Sequence, residues 1–297
     1  MATPCPHRLL APRDIEILTA LDHCPLTASQ ILRISQTFAL PFTSERRVRE
    51  RLFQLCEAGR VCRWPYATAG QGAPNYYTLS RLGFRILHGD VAKPPTKRAF
   101  GPIGISRQHH TQSLADFVVQ TAVSAHRSGV DFTGFYRENT LRLQIGDECL
   151  FPDNAFQLIE REGSDFGFFT EIDAGTERIR SPKDVESWER KIRLYDRFQD
   201  VSLKRFRVLI VSTRSRERVT HILDLAGTLV RNPQRSLFYG ISLPEYLAAA
   251  EPLRSACFRD HHGEPATLLP ERSLIQPAWN PLPMRVLPPS RLPSLST

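Results

Sequence analysis

The order of helical and strand-like segments between residues 106 and 250 constrains the fold of this 297-residue chain most strongly. A long helical pattern over residues 108–128 is followed by four strand-like runs that end near residue 173. A helix, a strand, a second helix and a last strand then follow. Consecutive strands that are later joined through helices predict an α/β (α+β) domain built on a mixed sheet.

Residues 1–88 carry a different pattern, in which three short helices precede two strands. Ser44 is placed to cap a third helix from Glu45 to Glu57, and Gly59 ends it. One face of this helix is apolar, whereas the other face and its flank carry Arg46, Arg47, Arg51 and Gln54. A loop rich in Gly and Pro joins the two strands, the first of which contains Arg63. This pattern predicts an N-terminal winged helix-turn-helix.

Positive charge is concentrated in the first third of the chain. Residues 1–105 hold 14 Lys and Arg against 7 Asp and Glu, while the whole chain holds 39 against 31. Such an excess is typical of a surface that binds a polyanion. We therefore predict contacts to double-stranded DNA, mainly to its phosphates, from Arg46, Arg47, Arg51, Gln54 and Arg63. The alternative is a winged helix that binds protein or only dimerises.

The remaining segments and the overall composition narrow the class of protein. Residues 89–105 cluster Pro and Gly and predict a linker between the N-terminal domain and the domain at 106–250. Residues 251–297 are predicted to be a proline-rich, disordered tail. The sequence lacks an apolar run long enough to span a membrane, a signal-peptide pattern and a CxxC pair. We therefore expect a cytoplasmic protein with reduced thiols.

Three acidic residues stand out in the second domain. Asp153 opens the third strand, and Glu171 and Asp173 end the fourth, where alternation places both on one face. Adjacent carboxylates repel each other unless a cation or a donor lies between them. Asp153, Glu171 and Asp173 would together suit Mg²⁺ or Mn²⁺, which would polarise a phosphate and activate a water. The alternative is a solvated strand end whose acids pair with Arg178 and Arg180.

Several other side chains are candidates for the same site. His110 opens the long helix and is placed to face the acids, as are Gln112 and Asp116, although a surface histidine is the plainer interpretation. Glu138 follows a strand and is either a further metal ligand or part of an exposed turn. In the later helix, Lys191 is one turn before Tyr195, which continues an apolar stripe and is expected to pack in the core.

The residues Pro152-Asp153 and Glu171-Ile172-Asp173 resemble the PD-(D/E)XK nuclease pattern. The resemblance implies a restriction-endonuclease-like fold in which an Asp and a Glu on adjacent strands bind the metal. It also implies a Lys two residues after the Glu that assists the attacking water, but Asp173 stands at that position. Either Lys183 or Lys191 of the following helix replaces this lysine, or Asp173 is a third carboxylate and the site binds metal differently or is not catalytic.

Residues 10–250 also resemble the replication-relaxation family of plasmids and mobile elements. The resembling stretches are the winged helix, His109-His110, Phe151-Pro152-Asp153, Phe169 to Glu177 and Lys191 to Tyr195. This resemblance implies a role in the replication or relaxation of plasmid DNA.

Together these resemblances give a hypothesis and a rival. The hypothesis is a DNA-binding, Mg²⁺- or Mn²⁺-dependent endonuclease or nickase with Asp153, Glu171, Asp173 and Lys191 as its catalytic residues. The rival is a DNA-binding regulator or replication accessory without catalysis, whose nuclease-like domain mediates dimerisation or docking. A second copy of the chain and replication or mobilisation proteins are the further candidate partners.

Overall fold

The computed structural model describes residues 10–67, 74–94, 97–181 and 187–270. Its N-terminal elements are α1 (Pro12–His23), β1 (Leu26–Thr27), α2 (Ala28–Ile34), α3 (Glu45–Glu57), β2 (Val61–Pro65), β3 (Asn75–Leu79) and α4 (Arg81–His88). The three strands form an antiparallel sheet in the order β1-β3-β2. The three helices precede β2 and β3 as predicted, whereas β1 and α4 are additional elements, and the tip of the loop between β2 and β3 lies outside the described residues.

Local signals account for most of the N-terminal elements. The Ser44 hydroxyl accepts a hydrogen bond from the Arg47 amide, so α3 begins where the sequence predicts. Its apolar face buries Val48, Leu52 and Leu55. In β3, the alternation of Tyr77 and Leu79 with Tyr76 and Thr78 predicts one packed and one solvated face, but residues 76–79 are buried on both faces. The segment after α4 covers this strand, and the Ile103 amide donates to the Tyr76 hydroxyl at 2.7 Å.

The second part contains thirteen elements within the described residues. They are α5 (Ile105–Arg127), β4 (Asp131–Tyr136), β5 (Leu143–Ile145), β6 (Glu148–Leu150), β7 (Asn154–Ile159), β8 (Asp165–Asp173), α6 (Trp188–Val201), β9 (Phe206–Ser212), α7 (Arg216–Leu229), β10 (Phe238–Ser242), α8 (Leu243–Ala248), β11 (Phe258–Asp260) and β12 (Pro265–Ala266). One seven-stranded sheet has the order β12-β11-β10-β9-β8-β7-β4. Strands β8, β9 and β10 are parallel and the other pairs are antiparallel, which confirms the mixed α/β fold.

The two faces of this sheet pack against different helices. On one face, Phe156 and Phe168 stack with each other, and Phe156 contacts Phe117 of α5. On the other face, Phe169 stacks with Tyr195 of α6 at a centroid distance of 5.9 Å. Because strand residues alternate, Glu171 and Asp173 lie on the same face as Phe169, toward α6. The acidic strand end is therefore positioned beneath the helix that carries Lys191.

The predicted domain boundaries differ from the structure at two places. In the predicted linker, residues 97–100 form a 3-10 turn, and Phe100 packs edge-on against Phe84. In the predicted tail, β11 and β12 extend the main sheet, and Phe258, Leu268 and Leu269 are buried. The boundary at residue 250 is therefore wrong, because these apolar side chains complete the core despite the nearby prolines. Residues 271–297 lie outside the described part of the chain.

None of the helices in the described ranges has both the length and the hydropathy that a bilayer span requires.

Gly240 lies in β10 directly beneath α7. A Cβ atom there would be 2.5 Å from Val219 Cγ1 and 3.0 Å from Leu223 Cδ1. We expect Gly240→Ala to lower the free energy of unfolding by about 1–3 kcal/mol, because it overpacks this contact. Denaturation in urea measures the effect. Gly167→Ala in β8 is the matched control, since its Cβ would meet no atom closer than 3.9 Å. Equal losses in the two variants would contradict the packing argument.

Candidate active site

Asp153 and Glu171 lie opposite each other at one end of the β7–β8 pair. The Asp153 amide donates to the Thr170 carbonyl at 3.1 Å, and the Ile172 amide donates to Asp153 Oδ2 at 2.7 Å. Asp153 is thereby held against the strand that carries Glu171, whose side chain is nearly fully buried. The structure therefore brings together the two carboxylates that the nuclease-like motif pairs.

A lysine from the following helix completes this pair. Lys191 Nζ donates to Glu171 Oε2 at 2.8 Å and to Glu177 Oε1 at 2.7 Å. The Tyr195 hydroxyl donates to the other oxygen of Glu171 at 2.6 Å. Lys191 thus places its ammonium at the acidic strand end, although it comes from α6 and not from β8. The other candidate, Lys183, lies outside the described residues.

Burial and neighbouring charges set the protonation of this group. Burial raises the pKa of Glu171 to about 7, and the charge of Asp153 acts in the same direction. Burial lowers the pKa of Lys191, but the charges of Glu171, Glu177 and Asp153 outweigh it and raise that pKa overall. Near neutral pH, Lys191 is therefore a cation and Glu171 is able to gain or lose a proton.

Asp173 has a structural role that its sequence pattern does not predict. Its Oδ2 accepts from Arg218 Nε at 2.6 Å and from Ser212 Oγ at 3.0 Å. Its Oδ1 accepts from Arg218 Nη2 at 2.7 Å and from Trp188 Nε1 at 3.2 Å. Because a carboxylate has about four lone-pair sites, these four bonds saturate it. They leave Asp173 no lone pair for the metal ion and the catalytic role predicted for it, and its cationic partner is Arg218.

Beside Asp153, the structure assembles a second group of side chains. His110 Nε2 of α5 lies 3.2 Å from Asp153 Oδ1 and 3.7 Å from Glu138 Oε1. One ligand atom from each of these three residues lies within 4.8 Å of the others. In the ranges that the structure describes, no other trio of His, Cys, Asp or Glu meets this criterion. The predicted trio of Asp153, Glu171 and Asp173 is not assembled in this way.

The charges at this edge of the sheet fit a divalent cation. Within the described contacts, the carboxylates outnumber the permanent cations, with Glu138, Asp153, Glu171 and Glu177 against Arg107 and Lys191. His110 Nε2 is buried and faces Asp153 and Glu138, although no well-aligned hydrogen bond joins it to them among the described residues. Carboxylate oxygens and an imidazole nitrogen are donors that divalent metals take. The residues present therefore fit the metal that the nuclease resemblance implies.

The residues predicted to bind DNA divide into two groups in the structure. Arg46 and Arg47 project from α3 with 87% and 71% of their side chains exposed, and Arg63 is exposed on β2. Arg51 instead forms an ion pair with buried Asp14 of α1, and its Nη1 donates to Gln54 Oε1 at 2.7 Å. Of the residues predicted to contact DNA, Arg51 and the half-buried Gln54 are thus engaged within the protein. The ion pair between Arg51 and Asp14 therefore joins α3 to α1.

The Asp14–Arg51 pair gives a prediction for stability. Arg51→Met leaves the Asp14 carboxylate buried without its partner, so we expect the free energy of unfolding to fall by about 3–5 kcal/mol. Denaturation in urea measures this loss. Arg46→Met is the control, because exposed ion pairs such as that between Arg46 and Glu50 contribute roughly 0–1 kcal/mol. A loss of similar size in both variants would contradict the assignment of Arg51 as a structural residue.

Sequence reasoning missed parts of the site for identifiable reasons. Tyr195 is buried as predicted. Its hydrogen bond to Glu171 was not predicted, although the i, i+4 spacing places Tyr195 on the same side of the helix as Lys191. Glu177 lies in the stretch that resembles the replication-relaxation family, yet only the structure shows its bond to Lys191. Arg218 comes from α7, and no local pattern links it to Asp173. Asp116 does not face the acids, because it accepts from Gln30 of α2 at 2.7 Å.

Comparison with known protein families gives a match. The family model described as replication-relaxation matches residues 18–207, a range that runs from α1 into β9 and includes Asp153, Glu171 and Lys191. Neither the curated proteins nor the solved structures yield a match. Because the family model covers more than half of the sequence, the chain belongs to the replication-relaxation family.

Proposed function

We propose that this protein binds double-stranded DNA and cuts or nicks it in a metal-dependent reaction, within the replication or relaxation of a plasmid or mobile element. The observation that carries the proposal is the convergence of Asp153, Glu171 and Lys191 at one end of the β7–β8 pair. Lys191 supplies the ammonium that the PD-(D/E)XK pattern places two residues after the Glu. Membership of the replication-relaxation family supports the biological context.

The side chains at this edge have atoms available for phosphodiester hydrolysis. Each oxygen of Glu171 accepts one hydrogen bond, from Lys191 or from Tyr195, so each keeps a second lone pair for a ligand. An ammonium has three donors, and Lys191 uses two of them on Glu171 and Glu177. The third donor is left for a phosphate oxygen or for the attacking water. Mg²⁺ or Mn²⁺, when bound, would supply Lewis-acid chemistry at the phosphate.

The N-terminal part supplies the surface for DNA. Arg46 and Arg47 of α3 and Arg63 of β2 are exposed on the predicted recognition helix and wing. Their positive charge suits phosphates, and replacing any one of them with a neutral residue is expected to reduce the salt slope of DNA binding by roughly 1. In this proposal, the winged helix positions the duplex and the acidic edge of the large sheet carries out the cleavage.

Incubation with supercoiled plasmid tests the proposal. The purified protein is mixed with plasmid in Mg²⁺, in Mn²⁺ or in EDTA, and the products are separated on an agarose gel. We expect nicked or linear plasmid with a divalent metal and intact plasmid in EDTA. Intact plasmid under every condition, together with a shifted band in a native gel, would refute cleavage and support a DNA-binding protein.

A second candidate function is a non-catalytic regulator or replication accessory. The observation in its favour is that Lys191 and Tyr195 already donate to the two oxygens of Glu171 and that Lys191 also donates to Glu177. Asp173 at the position of the usual lysine, saturated by Arg218, points the same way. In this case the nuclease-like domain would serve dimerisation or docking, and the plasmid would bind without being cut.

A further inference from the structure

We propose that His110, Glu138 and Asp153 form the metal-binding site of this protein and that the site prefers a transition metal such as Mn²⁺, Co²⁺ or Zn²⁺ over Mg²⁺. The inference deepens the proposed function, since Asp153 belongs to both groups of residues. It assigns the metal to a trio that lies beside the motif acids and contains neither Glu171 nor Asp173.

The trio is assembled from three separate elements. His110 lies in the second turn of α5, Glu138 follows β4, and Asp153 immediately precedes β7. Their ligand atoms lie within 4.8 Å of one another, with His110 Nε2 only 3.2 Å from Asp153 Oδ1. The Ile172 amide binds Asp153 Oδ2 and leaves Oδ1 turned toward His110. The long helix and the start of β7 therefore position His110 and Asp153, and Glu138 comes from the turn after β4.

His110 is the feature that distinguishes this trio from a cluster of acids. Its Nε2 is buried and lies 3.2 Å from Asp153 Oδ1 and 3.7 Å from Glu138 Oε1, but it makes no well-aligned hydrogen bond in the described part of the chain. A buried imidazole nitrogen that faces two carboxylates without a well-aligned bond is placed to share a ligand with them. A metal ion between His110, Glu138 and Asp153 would engage this nitrogen and neutralise the two carboxylates together.

The donor types decide which metal the site takes. Mg²⁺ prefers carboxylates, carbonyls and water in a near-octahedral set, and it loses its water reluctantly. Imidazole suits Zn²⁺ and neighbouring transition metals, and affinity for a mixed N/O site rises from Mn²⁺ through Co²⁺. One His and two carboxylates also leave coordination positions open to water and to a phosphate oxygen, as catalytic metal sites do.

Arg107 occupies part of this region, where its guanidinium pairs with Glu138. The Arg107 side chain is 56% exposed, so it lies at the rim of the site and is free to turn toward solvent. Metal binding would exchange this ion pair for a metal–carboxylate bond. The released guanidinium would remain at the rim of the site, where it would be able to contact a phosphate of DNA.

Titration with Co²⁺ tests the inference without any need for activity. Wild-type protein is expected to show the visible absorption of a bound Co²⁺ ion at one equivalent, and a large excess of Mg²⁺ should not remove it. His110→Ala should weaken Co²⁺ binding by more than about 10–100-fold, which is the loss already caused by removing outer-sphere partners of a metal ligand. His109→Ala is the matched control, because its side chain is exposed one position away, and its titration should match that of the wild type.

Glu138→Gln serves as a second variant, since it keeps the shape of the side chain and removes only its charge. It should weaken Co²⁺ binding while leaving thermal unfolding of the metal-free protein near that of the wild type. Unchanged Co²⁺ binding in either His110→Ala or Glu138→Gln would overturn the inference, and so would displacement of Co²⁺ by Mg²⁺. Co²⁺ binding that depends on His110 but is accompanied by no plasmid cleavage would support this site and refute the nuclease. Cleavage together with metal binding that does not depend on His110 would refute this metal site and support the nuclease.

Discussion

Glu171→Gln is expected to slow the proposed metal-dependent plasmid nicking by about 10²–10³-fold, the loss typical of removing one preorganised electrostatic group from an active site. The glutamine keeps the shape of the side chain, and its amide oxygen still accepts from Lys191 or Tyr195. It removes the carboxylate that faces Asp153 across the β7–β8 pair. Lys191 keeps its ion pair with Glu177 in this variant, so the ammonium is not left buried without a carboxylate.

Asp165→Asn is the matched control for this prediction. Asp165 lies at the opposite end of the same strand and pairs with Lys204 at 2.6 Å, as Glu171 pairs with Lys191. We expect this variant to nick plasmid at the wild-type rate. The initial rate of nicking in Mn²⁺ and the thermal unfolding midpoint are measured for both variants. A wild-type rate in Glu171→Gln would exclude Glu171 from the chemistry.

Arg218→Met is expected to lower the free energy of unfolding by about 3–5 kcal/mol, because it leaves the buried carboxylate of Asp173 without its cation. Asp173 also holds Ser212 of β9 and Trp188 of α6, so its ion pair ties two elements to the end of β8. Denaturation in urea measures the loss. The exposed Arg216 provides the control, since Arg216→Met removes only a 3.9 Å contact to Glu245.

The double variant Asp173→Asn/Arg218→Met should recover part of this loss, because it buries no unpaired charge. A pH series adds a second test. Burial acts to raise the pKa of Asp173, but Arg218 and the other donors outweigh it, so the pKa lies below its ordinary value. The stabilisation is therefore complete above the ordinary pKa of an aspartate and is lost as the pH falls through the folded-state value. Arg218→Met should flatten this acidic limb. A loss of under about 1 kcal/mol in Arg218→Met, a change typical of surface substitutions, would refute the structural role.

Glu171→Gln tests activity and Arg218→Met tests stability, although both variants act at the same end of β8. Glu171 and Asp173 share one face of β8, and a variant that changes both would lose nicking for two different reasons. Glu171→Gln acts on the group that contacts Lys191, whereas a change at Asp173 loosens α6 and α7. Activity measurements on this protein therefore need Glu171 variants alone, each with its unfolding curve.

The long helix α5 connects the N-terminal part to the acidic site. Its Asp116 accepts from Gln30 of α2 at 2.7 Å, and His110 on the same helix contacts Asp153. Arg137, one residue before Glu138, forms an ion pair with Asp22 of α1. Both contacts join the predicted DNA-binding part to residues beside the site, so a bound duplex would have a defined orientation relative to the carboxylates.

The amino-acid sequence by itself determined the local structure, because its signals act over a few residues. Ser44 and the apolar spacing of α3 set its bounds at Glu45–Glu57. Strand alternation placed Glu171 and Asp173 on one face, and the order of helices and strands indicated a mixed sheet. The motif around Asp153 and Glu171 also indicated the family, which the family comparison confirms.

Only the tertiary structure decided how the charged side chains are paired. Asp173 and Arg51 look equally free in the sequence, yet Asp173 is saturated by Arg218 and Arg51 is turned toward Asp14. The same holds for Lys191, which reaches Glu171 from another element. A long charged side chain carries no periodic signal for its partner, since the partner is set by how helices cross the sheet and by the cost of leaving a buried charge unpaired.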